Sequence, residues 1–352
     1  MNLWHLVFRT DSLTYTICRA LRECNYEVSV WVADPEYGTR VESGIQKRLA
    51  ETEGIHVFGG DSFRVPQAID RLIVQTFPRP AEAVKALPLL APRARAITLI
   101  SSGDRSRCWS EAMKLQWLET RTLGALVGKV DRIVYKDGFH GIDLFRSFRR
   151  RDVIGFDAHS QFLHLPDLFS AMHACDWNAD DLRPVLVSFL GSQDPGSRKA
   201  ILDSVRHLFH TPSGGARSPR PGKSMFWHEY SDAEPAGVPP ADFVDMLTRS
   251  DFTLCPRGYS LITHRPIEAM LRGSIPVLSA DELDLYGVEL VDSRTCIAVE
   301  ANGWPAAIER ICQITEREIS GMRNNILSMR EPVLEYPQLA SRICARLGLP
   351  PR

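Results

Sequence analysis

The chain is 352 residues long, with 44% hydrophobic and 24% charged residues and a formal net charge of -1. That length suits roughly two domains, and the composition is that of an ordinary globular protein rather than a disordered or collagen-like one. The near-neutral balance supplies no global electrostatic reason to bind nucleic acid, and apolar runs such as 84–91, broken by Lys85 and Pro88, are too short to span a membrane.

In chain order, "LWHLVFR" (3–9) reads as a first strand, since no charged, apolar and cleavage segments of a leader peptide precede it. "SLTYTICRALREC" (12–24) follows as a helix with Ser12 as its cap. "YEVSVWVADP" (26–35), "GIHVFGGD" (54–61), "DRLIVQTF" (70–77), "RAITLISS" (95–102) and "DRIVYKDG" (131–138) read as further strands, with helical segments such as 110–128 between most of them. Short apolar strands alternating with helices predict a parallel sheet covered on both faces. This first Rossmann-like unit lacks the Gly-x-Gly-x-x-Gly of dinucleotide binding.

A second unit starts near residue 184. "RPVLVSFLGS" (183–192) is a strand running into a Gly-Ser turn, followed by a helix over 197–209. The stretch 210–224, rich in Pro, Gly and Ser and carrying Arg217, Arg220 and Lys223 close to Arg206, reads as a mobile surface loop. Then come a strand at 225–230, a helix at 240–250, strands at 251–256, 274–279 and 296–300, and helices over 304–330 and 336–348. The resulting organisation is a first domain over 1–170, a linker over 171–183, a second domain over 184–330, and a C-terminal helix in 331–352 that packs back on the first domain. Two α/β units of similar size place the expected site in a cleft between them.

The eight cysteines form no CxxC pair and have no histidine at zinc-like spacing, which points to reduced thiols that serve as small core residues. "DELD" (281–284) and the aspartates of 176–181 read as solvated turns, and no Asp-x-Asp metal motif stands out.

The densest stretch is "CPRGYSLITHRPIEAMLRGSIPV" (255–277). Here a strand ends at Pro256, Gly258 permits a tight turn, and Pro266 sets a helix start. With Pro266 as the first helical residue, Glu268 stands third, where glutamate reaches back to the cap amide. With Thr263 as the cap, Pro266 would stand third instead. Glu268 is thus open to two readings, a capping side chain or a ligand-reading carboxylate. Arg257 and Arg265, bracketing a helix start, suit a diphosphate, although a lone arginine is more often solvated or carboxylate-paired.

These residues resemble the sugar-nucleotide segment of the exostosin-like glycosyltransferases, glycosyltransferase family 47. The matching positions are Cys255, Pro256, Arg257, Gly258, Thr263, Arg265, Glu268, Ala269, Gly273, Ile275, Pro276 and Val277, and the likeness extends over about 184–330. It implies a GT-B architecture, α/β with two Rossmann-like domains facing a central cleft, and transfer of a sugar from a nucleotide-diphosphate donor, expected to be a UDP-sugar. By the same resemblance Glu268 would accept from the ribose hydroxyls, and Arg257 and Arg265 would hold the diphosphate. Gly191, Ser192 and Arg198 in the upstream strand-glycine-arginine element, with Gly258, Tyr259, Thr263 and His264, complete the expected donor site. Thr263, His264 and Pro266 depart from the usual pattern. No metal and no resident cofactor is implied, because basic side chains and a helix dipole serve the leaving group in such enzymes.

The acceptor base is expected at the strand ends of the first domain, with Asp11, Asp104, Asp137 and His140 as candidates and Asp11 the first choice; each is also a routine cap or turn residue. "LFRSFRRRD" (144–152) reads as a solvated helix face with two core phenylalanines, or as contact with an anionic membrane surface or a lipid-linked acceptor. The expected partners are therefore a nucleotide-sugar and a glycan or lipid-linked acceptor, with a cytoplasmic location, peripheral at the inner face of the membrane. The rival readings are a GDP-sugar-dependent fucosyltransferase-like enzyme and a non-catalytic sugar-nucleotide or glycan-binding protein.

Overall fold

A computed structural model describes residues 1–7, 12–32, 40–59, 65–75, 89–101, 130–135, 152–155, 165–192, 196–211, 216–230, 238–258, 263–284 and 286–350. The chain separates into two units, one of Met1–Asp157 with Tyr336–Arg352 and the other of Ala158–Glu335. Both are parallel α/β sheets.

In the first unit the elements are β1 (Leu3–Val7), α1 (Ser12–Glu23), β2 (Val28–Val32), α2 (Arg40–Ala50), β3 (Ile55–Gly59), β4 (Ile69–Gln75), β5 (Ala94–Ser101), β6 (Val130–Tyr135) and β7 (Asp152–Gly155). Among the described residues the strands form one sheet in the order β3-β2-β1-β4-β5-β6-β7, with every neighbouring pair parallel. All of β1 is buried, as a central strand covered on both faces requires, so its sequence is a continuous apolar run rather than an alternation. His5 sits within that run; burial pushes its pKa down to about 3, against a hydrogen bond with Gln75. The strand β7 has no counterpart in the sequence reading, where its first residue closes the basic stretch 144–152. Of that stretch only Asp152 is a described residue.

The second unit contains α3 (Pro166–His173), β8 (Val185–Ser192), α4 (Gly196–Val205), β9 (Ser224–Tyr230), α5 (Pro240–Arg249), β10 (Ser250–Leu254), α6 (Arg265–Leu271), β11 (Ile275–Ser279), β12 (Ile297–Val299), α7 (Trp304–Gln313) and α8 (Glu316–Met329). Its sheet runs β12-β11-β10-β8-β9, again parallel throughout. Every residue of β8 and β10 is buried. The helical stretch 304–330 is two helices, because Thr315 and Glu318 form a reciprocal capping box that starts α8 afresh.

The segment 171–183, read as a linker, is packed into the second unit. Trp177 is 4% exposed and its indole donates to the Leu271 carbonyl at 3.0 Å. Four buried arginines fasten the same region through backbone carbonyls. Arg272 donates to Ala171 and Ala174, Arg330 to His173 and Leu271, Arg323 to Asp181 and Gly273, and Arg183 to Leu247 and Ser250. Guanidinium groups can be buried here because each finds several acceptors.

The stretch 210–224 also differs from its reading as a mobile basic loop. Lys223 is buried, with its Nζ 2.6 Å from the fully buried Asp251, and Arg220 pairs with Glu316 at 3.0 Å. The Arg217 amide donates to the Phe209 carbonyl at 2.9 Å, and Arg206 pairs with Glu229 at 2.7 Å. Residues 212–215 lie outside the described set.

α9 (Tyr336–Arg346) belongs with the first unit. Its buried residues Tyr336, Leu339, Ala340, Ile343 and Cys344 repeat at the spacing of one helix face. Beyond it, the Tyr26 hydroxyl donates to the Pro350 carbonyl at 2.5 Å and the Thr98 hydroxyl to the Leu347 carbonyl at 3.0 Å.

Candidate functional site

In the second unit the strand order reverses between β8 and β10: β9 lies on one side of β8, while β10, β11 and β12 build outward on the other. The connections leaving the carboxyl ends of β8 and β10 therefore diverge, and open parallel sheets hold their ligands in that gap. β8 ends in Gly191 and Ser192, and β10 continues into Cys255, Pro256, Arg257 and Gly258. The fold thus brings Gly191, Ser192, Arg198, Arg257, Gly258, Thr263, His264, Arg265 and Glu268 to one edge of one sheet. Tyr259, and all four candidate bases, Asp11, Asp104, Asp137 and His140, lie outside the described residues.

Arg265 opens α6 and crosses back over the switch point. A terminal nitrogen donates to the Leu190 carbonyl, and the guanidinium carbon stands 4.6 Å from the centre of the Phe243 ring, a cation–π contact. Its Nε is buried without a hydrogen-bond partner among the described residues. Arg198 makes the opposite crossing, donating from Nε to the Arg257 carbonyl at 2.9 Å and from a terminal nitrogen to the Ser192 carbonyl at 3.2 Å. Its other terminal nitrogen comes within 2.6 Å of where a Cβ on Gly258 would stand, so a side chain there would displace the guanidinium. A Cβ on Gly191 would meet Phe189 at 3.4 Å and Arg265 at 3.7 Å, ordinary contacts that do not by themselves demand glycine.

Arg257 turns away from this pair. Its Nε donates to Glu282 at 2.7 Å and a terminal nitrogen reaches Asp281 at 2.5 Å. Burial works against its positive charge, but the two carboxylates outweigh that and hold its pKa above the ordinary value. Its charge is therefore already balanced by two anions, the carboxylate-paired state that the sequence left open beside a diphosphate ligand.

Glu268 is 1% exposed, within α6. The helix takes His264 as its cap, with no side-chain capping bond, and begins at Arg265. Glu268 is then the fourth helical residue, one beyond the position from which a glutamate reaches the cap amide. Pro266 is second, where the missing N–H removes no intrahelical bond, so the residue that departed from the family pattern fits its site. The helix ends on Gly273 at φ +68, with Ser274 donating to Ala269 and Gly273 to Met270 at 2.9 and 3.0 Å, a Schellman closure.

Sequence reasoning missed Glu282 and Tyr286. Glu282, in "DELD", is fully buried, and burial pushes its carboxyl up to about 7 against the pull of Arg257. The Tyr286 hydroxyl donates to it at 3.1 Å. The aspartate–leucine alternation around Glu282 carries no local signal of a buried acid; only its partner 25 residues upstream reveals it. Next to Arg257 and Asp281 lies a cavity of ≈ 640 Å³ lined also by Ile201, Val299, Glu300 and Trp304, a size suited to a small ligand. No group of three His, Cys, Asp or Glu side chains is placed to hold a metal among the described residues.

No family model matches the chain. A segment of 132 residues is 25% identical to a probable glucuronosyltransferase 47 A of Physcomitrium patens, covering 36% of this chain and 29% of that protein. The chain thus spans less than a third of that relative's length. Over nearly its whole length it is similar to a solved glycosyltransferase from Rickettsia africae ESF-5 (TM-score 0.57, 10% identity, 98% of this chain and 97% of that one). It is likewise similar to Anabaena HepE in complex with UDP and glucose (TM-score 0.58, 11% identity, 99% and 100%). At such identities what is shared is the fold, the two Rossmann-like α/β domains of the GT-B class.

Proposed function

We propose that the protein is a glycosyltransferase that moves a sugar from a nucleoside-diphosphate donor, a UDP-sugar, to a hydroxyl of a glycan or lipid-linked acceptor. The observation that carries this is a buried carboxylate, Glu268, one helical turn behind Arg265 at the point where the strand order of a parallel sheet reverses. A carboxylate is an acceptor with two oxygens, and the two neighbouring hydroxyls of a ribose are donors suited to such a pair. Arg265, with its buried Nε, and Arg198 face the gap from its two sides and suit the diphosphate, whose growing charge a preorganised guanidinium stabilises as the sugar leaves. Arg257 is assigned to the loop rather than to the phosphates, since Glu282 and Asp281 already hold it.

The curated relative is named a glucuronosyltransferase, and HepE structures hold UDP or UDP-glucose, which supports the uridine donor over the guanine-nucleotide and non-catalytic readings. The acceptor base is assigned to the first unit, among Asp11, Asp104, Asp137 and His140, and no resident metal or cofactor is required by these roles. No helix among the described residues is long and apolar enough to cross a membrane; a peripheral location at the inner face of the membrane suits a lipid-linked acceptor.

Calorimetric titration with UDP, GDP and dTDP and their sugar conjugates tests the reading. UDP should bind best, and Glu268→Ala should weaken it by about tenfold or more, the worth of hydrogen bonds to a charged group. Arg265→Ala should act in the same direction. Unchanged affinity in both variants would sink the assignment.

A further inference from the structure

Arg257, which follows β10, and Thr263, which precedes α6, converge on a single carboxylate. Glu282 stands in the short turn Ala280–Glu282 after β11. One of its oxygens accepts from Arg257 Nε at 2.7 Å and the other from the Tyr286 hydroxyl at 3.1 Å. The Tyr286 oxygen in turn accepts the backbone N–H of Thr263 at 3.4 Å. A side chain at the start of the loop and an amide at its end therefore hang on the two oxygens of one group. Glu282 and Tyr286 are both fully buried, so water does not compete for these bonds. Asp281 holds the outer side of Arg257 at 2.5 Å, and the Arg198 guanidinium holds the Arg257 carbonyl from above.

We infer that Glu282 and Tyr286 are positioning residues that fix Arg257, just after β10, and Thr263, just before α6, relative to each other, and so preorganise the edge proposed to receive the nucleotide. Neither is assigned a ligand contact; Glu282 acts through Arg257 and Tyr286 through the Thr263 amide. Residues held in place before binding need not be ordered during it, which removes that cost from the binding step. The inference rests on the proposed function only in taking UDP as the probe.

Tyr286→Phe deletes the hydroxyl alone, and Glu282→Ala and Glu282→Gln remove or convert the shared acceptor. UDP affinity would be measured by calorimetry alongside the melting temperature and the exchange rate of the Thr263 amide, followed by its ¹H–¹⁵N signal. Tyr286→Phe should weaken UDP by about three- to tenfold, one buried hydrogen bond, and speed Thr263 exchange. Glu282→Ala should cost more, and Glu282→Gln should recover part of it, because its amide oxygen still accepts from Arg257. If Tyr286→Phe leaves both UDP affinity and Thr263 exchange as in the wild type, the positioning role is wrong while the nucleotide site stands. If the wild type binds no nucleoside diphosphate, the functional reading fails instead, and Thr263 exchange alone decides: faster exchange in Tyr286→Phe or Glu282→Gln upholds the tie, unchanged exchange overturns it.

Discussion

Glu282→Gln should remove a pH dependence of stability that the wild type carries between about pH 4.5 and 7. Burial raises the Glu282 carboxyl from 4.5 to about 7 even though Arg257 pulls the other way. The folded chain thus keeps a proton that the unfolded chain releases. At and below pH 4.5 the stabilising contribution is fully present; as the pH rises the unfolded state loses its proton first, and stability falls until the folded state ionises near 7. The full interval corresponds to about 3 kcal/mol. Around this carboxyl stand Arg257, Asp281 and Tyr286, of which only Arg257 is cationic. A glutamine of the same shape cannot titrate, so the unfolding free energy of the wild type minus that of the variant should drop by about 3 kcal/mol over that range and level off above it. Urea unfolding at a series of pH values gives the difference, with amide exchange in β10 and β11 isolating the second unit. A flat difference would refute the reasoning, and one that grows with pH would show that the attraction of Arg257 outweighs the burial of the acid.

Gly273→Ala should destabilise the second unit by about 2 kcal/mol or more. The residue has φ +68, and an added Cβ would stand 2.5 Å from the Trp177 ring; a melting temperature within a degree of the wild type would contradict this. Asp251→Ala should cost about 3–5 kcal/mol, because removing one partner of a buried pair strands the other. Here it leaves Lys223 only the half-exposed Glu316 and Arg323 only backbone carbonyls, and a urea midpoint that hardly moves would mean those remaining acceptors suffice.

The parallel sheets were legible because a strand covered on both faces is a near-continuous apolar run, as in "VLVSF" of β8 and "FTL" of β10, whose Ser188 and Thr253 hydroxyls bond each other. The edge proposed for the donor was read from Gly258, Arg265 and Glu268, whose spacing matched a family pattern, and the fold brings those residues to one edge of the second sheet. What stayed hidden was non-local pairing of charge. Lys223 looks solvated in a Pro-Gly-Ser loop until Asp251, 28 residues on, is seen beside it. Glu282 looks solvated in an acidic turn until Arg257 is placed. A single sequence states the sign of a charge but not its partner, so buried ion pairs were read as surface. The first turn of α6 was misjudged by one residue for a different reason. Caps are set by backbone geometry, and His264 takes that place without a side-chain bond that the sequence could advertise.

The division of the chain has a consequence for synthesis. The first unit is completed by Tyr336–Arg352, yet the whole of Ala158–Glu335 intervenes. A ribosome therefore delivers the second unit in one continuous piece, able to close as soon as it emerges. α9 packs against α1, where the Cys344 thiol donates to the Ala20 carbonyl at 3.5 Å, so that apolar face of α1 must wait uncovered for almost 180 residues of intervening chain. Chaperone engagement during translation is thus expected on the face of α1 rather than on the sheet of the second unit.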